Sequence, residues 1–167
     1  MSTTIRPRLV AVAAVASLAM IAASSTAASP PIAASGTLTY TSSTFNSSRA
    51  AGGNLIFDLS ATVSYTGTLS GTSALHGTLI FHPDGTANFS DIETFTGTVN
   101  GVPGTVTFNL NGHADSALNV SARDVVLDAS GQLAGLHGVL SETAVVLDPL
   151  VGPVGTYGGQ IELGGNP

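Results

Sequence analysis

The chain is read as all-β: a single eight-stranded antiparallel β-barrel preceded by a secretory signal. Three observations predict this. The stretch from Leu55 to Ser70 places an apolar residue or Gly at every odd position, and Asp, Ser or Thr at every even position after Ile56. Side chains alternate across a strand with period two, so such a stretch has one dry face and one wet face. No segment carries a helical period of useful length, and similar alternating segments recur, joined mostly by short Gly-, Asn- and Pro-rich turns. A sandwich would satisfy the same alternation. Closure into a barrel is preferred because it removes the open edges that a Thr-rich, Lys-free sheet leaves unguarded.

Residues 1–28 read as a signal peptide. Arg6 and Arg8 form a positive start, 9–23 is an apolar run, and Thr26 and Ala28 suit a small-x-small cleavage rule, with a second candidate cut after Ala34. The run is shorter than the roughly 20 residues that span a bilayer. Residues 29–35 read as a flexible Pro-containing leader, and 36–164 as the barrel domain.

Gly36–Tyr40 is the first strand, followed by a polar connection from Thr41 to Asn54. Leu55–Ser70 is too long for a small flat sheet, so it must coil, with Gly67 as the bend. Gly71–Ser73 reads as a turn and Ala74–His82 as the next strand. Pro83-Asp84-Gly85 is a strong turn signal. Thr86–Val99 and Gly104–Asn111 flank Asn100-Gly101, a type I′ hairpin dipeptide. Ala117–Asp128 follows; its Val125-Val126-Leu127 breaks the alternation, which implies a bulge or burial on both faces. Val139–Leu147 and a last strand marked by Tyr157, Gly159, Ile161 and Leu163 complete the set.

Composition narrows the function. There is no Cys, so an exported form has no disulfides and its core must hold the fold alone. There is no Lys, and beyond Arg6 and Arg8 only Arg49 and Arg123 oppose ten acids. Nucleic acid needs basic patches and is excluded as a partner. No later segment is apolar enough to anchor the chain in a membrane after cleavage, and oligomeric state is not legible.

The segment Val125-Val126-Leu127-Asp128-Ala129-Ser130-Gly131-Gln132-Leu133-Ala134-Gly135-Leu136-His137-Gly138 resembles the paired-Val, Leu-x-Gly-Leu-x-Gly signature of the bacterial domain of unknown function 3224 family. Glu93-Thr94-Phe95-Thr96-Gly97-Thr98-Val99-Asn100-Gly101 is similar to that family's Glu-x-x-x-Gly-Thr-x-x-Gly hairpin, and the order of elements agrees from Gly36 to Leu163. The resemblance implies an eight-stranded barrel similar to allene oxide cyclase. It does not imply that cyclase activity, because one fold hosts several roles. Two positions depart from the pattern: Leu110 stands where family members tend to carry His, and Val102-Pro103 where they tend to carry Arg.

The chemistry-bearing anomaly is in Thr86–Val99. With Phe89, Phe95 and Val99 inward, Asp91 and Glu93 fall in the same phase, among Phe side chains. Burial and mutual repulsion raise carboxyl pKa values, which suits a general acid or a shared-proton pair. A bulge near Ile92 would instead put one or both acids in water. Asp91 and Glu93 are the catalytic candidates. Phe57, Tyr65, Phe81, Phe89, Phe95 and Phe108 are the ligand-binding candidates, with plain core packing as the alternative. Gly67, Gly77, Gly97 and Gly112 share the inward phase; they either leave room for a ligand or only let the strands coil. His76 and His82 lie about 20 Å apart along one strand and cannot share a metal. No metal and no cofactor are implied.

The expected function is a secreted barrel that holds a small apolar molecule in its lumen. The alternatives are a cyclase, isomerase or hydrolase of a small apolar substrate using a lumenal carboxylate, and a cell-surface or matrix protein, cell-wall associated, without a lumenal site.

Overall fold

The computed structural model describes residues 30–164, and the segment read as a signal peptide lies outside them. Eight strands follow in order: β1 (Ile32–Ala51), β2 (Asn54–Gly67), β3 (Leu69–Phe81), β4 (Ala87–Val99), β5 (Val102–Ala114), β6 (Asn119–Gly131), β7 (His137–Asp148) and β8 (Gly152–Glu162). Each pairs antiparallel with the next. β8 returns to pair with β1 from Ile32↔Ile161 to Thr39↔Val154, and this closes the barrel. The β1 pairing begins inside the stretch read as a leader. Ala34 pairs with Gly159 and is buried, so cleavage after Ala34 would strip three paired residues from the wall.

The long alternating stretch is two strands. The chain reverses at Gly67 and Thr68, where Gly67 takes a φ of 101°. The Thr68 N–H donates to the Ser35 carbonyl, and the Asn100 N–H donates to the Thr68 carbonyl. Gly71–Ser73, read as a turn, lies inside β3. The reversal is so tight that Leu69 keeps the inward phase of Tyr65, and the pattern runs through it unbroken.

Thr41–Ala51, read as a connection, is the second half of β1. Its pairing with β2 shifts register between Tyr40 and Ser42 and again between Phe45 and Ser47. Each extra residue inverts the alternation, which hides the strand. At the second shift, Asn46 Nδ2 donates to Asp58 Oδ1 and Ser60 Oγ, which pins the bulge. Leu127 is the bulged residue of β6, since Thr107 pairs with Asp128 and Phe108 with Val126. β6 begins at Asn119, because Leu118 adopts a φ of 64° and closes the turn begun at Asp115.

The two ends differ. At one, Leu133 and Leu136, from the segment between β6 and β7, are buried with Leu69 and Val99 and plug the base. The Tyr157 hydroxyl reaches across this end. It accepts from the Leu69 N–H at 2.7 Å and lies 3.1 Å from the Thr66 carbonyl, to which it can donate. Phe95, Val63 and Val106 above the base are fully buried. The other end is a mouth, bounded by the turns at Gly52-Gly53, Pro83–Thr86, Asp115–Leu118 and Pro149–Val151.

The inward glycines are not voids. A Cβ on Gly112 would strike the Phe89 ring, one on Gly77 the Asp91 carboxylate, and one on Gly97 the Phe95 ring together with the backbone of β3. These glycines are the surfaces on which neighbouring side chains lie. Gly112→Ala is therefore expected to cost about 1–3 kcal/mol by forcing Phe89 off its seat, measured as a lower urea midpoint.

Candidate functional site

The register puts the dry faces of β4, β6 and β7 on one interior level. β4 pairs without a shift on both sides, so the alternation continues through Ile92, which points to solvent. Asp91 and Glu93 therefore both point inward and are 3% and 1% exposed. Two further acids join them: Asp124 in phase with Val120 and Ala122 on β6, and Glu142 in phase with Leu140 and Ala144 on β7. Four carboxyl groups are thus buried in one barrel, with Ser73 and Tyr65 among them.

Their donors are few. Ser73 Oγ donates to Glu93 Oε1. The Tyr65 hydroxyl stands 2.9 Å from Glu93 Oε1 and 3.1 Å from Glu142 Oε1. One phenolic proton serves one of these oxygens fully at a time. Asp91 Oδ1 and Asp124 Oδ1 have no ordinary donor at all. Burial is consequently the largest influence on every acid, and it raises each pKa. Asp91 is raised to about 7, by burial first and the Glu93 charge second. Glu93 is raised by burial, against the opposing hydrogen bonds from Ser73 and Tyr65. Asp124 and Glu142 are both raised by burial and then by neighbouring acids. The two carboxyls neighbour each other and interact both by charge and through a shared hydrogen bond. The Tyr65 phenol is pushed well up by burial and by the charges of Glu93 and Glu142, so it acts as a donor.

Above this cluster is an open-ended cavity of about 490 Å³. Phe57, Phe81 and Phe89 line it, with Leu59, Leu79 and Val146 among the aliphatic residues, and Asp91 and Glu142 supply acid groups. Phe57 meets Phe81 edge-on at 5.8 Å and Phe45 at 4.8 Å, so the mouth has an aromatic wall. Of the six ring candidates, these three reach the cavity. Tyr65, Phe95 and Phe108 are buried deeper, where Tyr65 packs edge-on against Phe95 at 5.9 Å and also against Tyr157. Glu93 also lies below the lining, one inward position further toward the base than Asp91.

Sequence reasoning missed Asp124, Glu142, Ser73 and Tyr40. A signal existed for Glu142, which stands in the strict alternation Leu140-x-Glu142-x-Ala144-x-Val146. Tyr40 also lines the cavity, and its phenol is pushed well up by burial and then by the acids below. On the outer wall Ser60 Oγ is 3.2 Å from His76 Nδ1, and Asp58 is 3.8 Å from His76 Nε2. The His76 side chain is 66% exposed there, and the His–Asp separation is beyond hydrogen-bond range, so this is no catalytic triad. Among the described residues no three or more His, Cys, Asp or Glu converge as metal ligands.

Fold and site together define a closed eight-stranded barrel with a plugged base, a carboxyl-rich floor and an apolar mouth. The chain belongs to the family described as Protein of unknown function (DUF3224), whose model matches residues 34–145. It is similar to the crystal structure of a protein with unknown function from the DUF3224 family of Shewanella oneidensis MR-1, with a TM-score of 0.58 and 15% identity over 80% of this chain and 96% of that one. At that identity the likeness concerns the fold. No curated protein matches the chain.

Proposed function

We propose that the protein is an exported barrel that holds one small apolar molecule in its open end. The observation that carries this is the cavity. Its volume of about 490 Å³ falls within the roughly 300–1,000 Å³ usual for small-molecule sites. Aromatic and aliphatic side chains line it, and a few polar groups converge at its floor. Export rests on the positive start, apolar run and small-residue cleavage site of residues 1–28. Phe57, Phe81 and Phe89 would contact the ligand, while Tyr65, Phe95 and Phe108 form the rigid floor that shapes the site.

Native mass spectrometry of freshly purified protein, together with titration by a fluorescent apolar probe, tests the reading. Saturable binding at one site is expected. Ala114→Trp, which places an indole in the mouth, should abolish it while changing the unfolding temperature by only a few degrees. A protein that takes up no probe and carries no extra mass would leave the barrel exterior as the working part.

A second reading is supported by the two acids at the floor. Glu142 and Asp91 border the cavity with raised pKa values, as a general acid requires. A cyclase, isomerase or hydrolase would then use those two directly, with Glu93 positioning Tyr65. Turnover of a lipophilic ester or epoxide that is lost in Glu142→Gln, with probe binding retained, would favour it.

A further inference from the structure

The floor of the cavity has acids and no counter-charge. β4 contributes Asp91 and β7 contributes Glu142 at the lining, with Glu93 of β4 and Asp124 of β6 buried beyond it. The other groups facing this level are the phenols of Tyr40 on β1 and Tyr65 on β2 and the hydroxyl of Ser73 on β3; β5 presents Leu110 beside Asp91. Tyr157 of β8 is engaged at the base. The described residues contain only two strong bases, Arg49 and Arg123. Each lies on the wet face of its strand, Arg49 exposed and Arg123 opposite Asn111 and Ser141. The barrel thus supplies no cation to its own carboxyls.

Within this set Asp91 is the outlying member. It borders the cavity and is 3% exposed; its Oδ1 lies against Gly77 without a hydrogen-bond partner, so a rotation of the carboxyl would offer that oxygen to a donor in the cavity. Glu93 is held by Ser73 and Tyr65, and Asp124, whose Oδ1 is likewise unpartnered, does not border the cavity. A buried carboxyl oxygen without a partner is costly, and a ligand that brings a donor removes that cost. A donor that also brings positive charge relieves the repulsion among four neighbouring acids.

We infer that the apolar molecule is a lipophilic amine, its ammonium group seated on Asp91 and its hydrocarbon part against Phe57, Phe81 and Phe89. This rests on the proposed binding function and names the ligand class for that site. Glu142, which borders the same cavity, provides a second acceptor. The acids do not converge as metal ligands among the described residues, and an ammonium with three donors can reach acceptors spread around a floor.

The coupling has a defined pH signature. Asp91 is raised to about 7, and a primary alkylamine stays protonated to about pH 9–10, near the lysine value. An ionised Asp91 binds the ammonium, so amine affinity rises from pH 5.5 to about 7.5 and then levels. A neutral alcohol shows no such rise.

The test compares octylamine, 1-octanol and octanoate, by calorimetry and by displacement of an apolar probe from the purified protein. At pH 8 octylamine is expected to bind about tenfold to hundredfold more tightly than octanol, with octanoate weakest. Asp91→Asn should bring amine and alcohol to within about threefold of each other and flatten the pH dependence; Glu142→Gln should reduce the amine preference in part. Equal binding of amine and alcohol at pH 8 would overturn the amine assignment and leave the apolar-ligand reading standing. So would an amine preference that survives in Asp91→Asn. If none of the three binds, both readings fail.

Discussion

Asp91→Asn is expected to raise the unfolding temperature at pH 8 and to lower it slightly at pH 4, where only the cost of the buried amide remains. The Asp91 carboxyl is raised from 3.8 to about 7 in the folded protein. The folded state therefore keeps a proton that the unfolded state releases between those values. Stability from this group is fully present below the unfolded pKa, declines as pH rises, and is lost once pH passes about 7. The whole gap corresponds to at most about 4 kcal/mol. Asn has the same shape and no charge, but it leaves a buried amide poorly partnered, so a net gain of about 2–3 kcal/mol at pH 8 is expected. Glu93, Asp124 and Glu142 are raised in the same direction, so the wild-type protein should itself lose stability steadily from pH 5 to pH 8. Thermal unfolding of both proteins from pH 4 to 8 provides the check. Curves that run parallel would show that Asp91 is solvated and does not hold its proton.

Phe95→Ala is expected to cost about 3–5 kcal/mol at every pH, enough to threaten a fold of ordinary stability. Phe95 is fully buried on β4, packs edge-on to Tyr65, and lies over Gly71 and Gly97, where a Cβ would strike its ring. Its loss leaves a cavity against two glycines that have no side chains to move in. It also frees Tyr65, whose hydroxyl serves Glu93 and Glu142. Phe57→Ala provides the contrast. Phe57 lines the open cavity, so its truncation should cost less stability and more probe affinity. Chemical unfolding of the two variants measures the difference; equal losses would mean that the mouth is packed as tightly as the base.

Much of this protein is legible in its residue pattern. Alternation and turn residues together identify β2 through β8 with some ends displaced, put Asp91 and Glu93 in the inward phase of an unbulged strand, and flag at Val125-Val126-Leu127 the irregularity that is the Leu127 bulge. Alternation does not separate a closed barrel from a sandwich; the absence of Lys to guard the edges is what favours closure. The strand features are local, since period two is a property of single strands and each inward residue is set by its neighbours two positions away. The second half of β1 is not legible, because two bulges reset its phase and Phe45 is its single large apolar residue. The reversal at Gly67 is hidden for the opposite reason: the phase survives it.

Which inward groups meet is a matter of closure. Asp124 and Glu142 are far in sequence from Glu93, and they join Tyr65 only because β8 pairs with β1 and rolls the sheet into a tube. The same closure separates the rings into three at an open mouth and three packed below it, although all six share one phase. Alternation tells a side chain which face it is on. Its depth along the barrel axis, and hence whether it packs or binds, depends on register between strands and on the Leu133 and Leu136 plug at one end only.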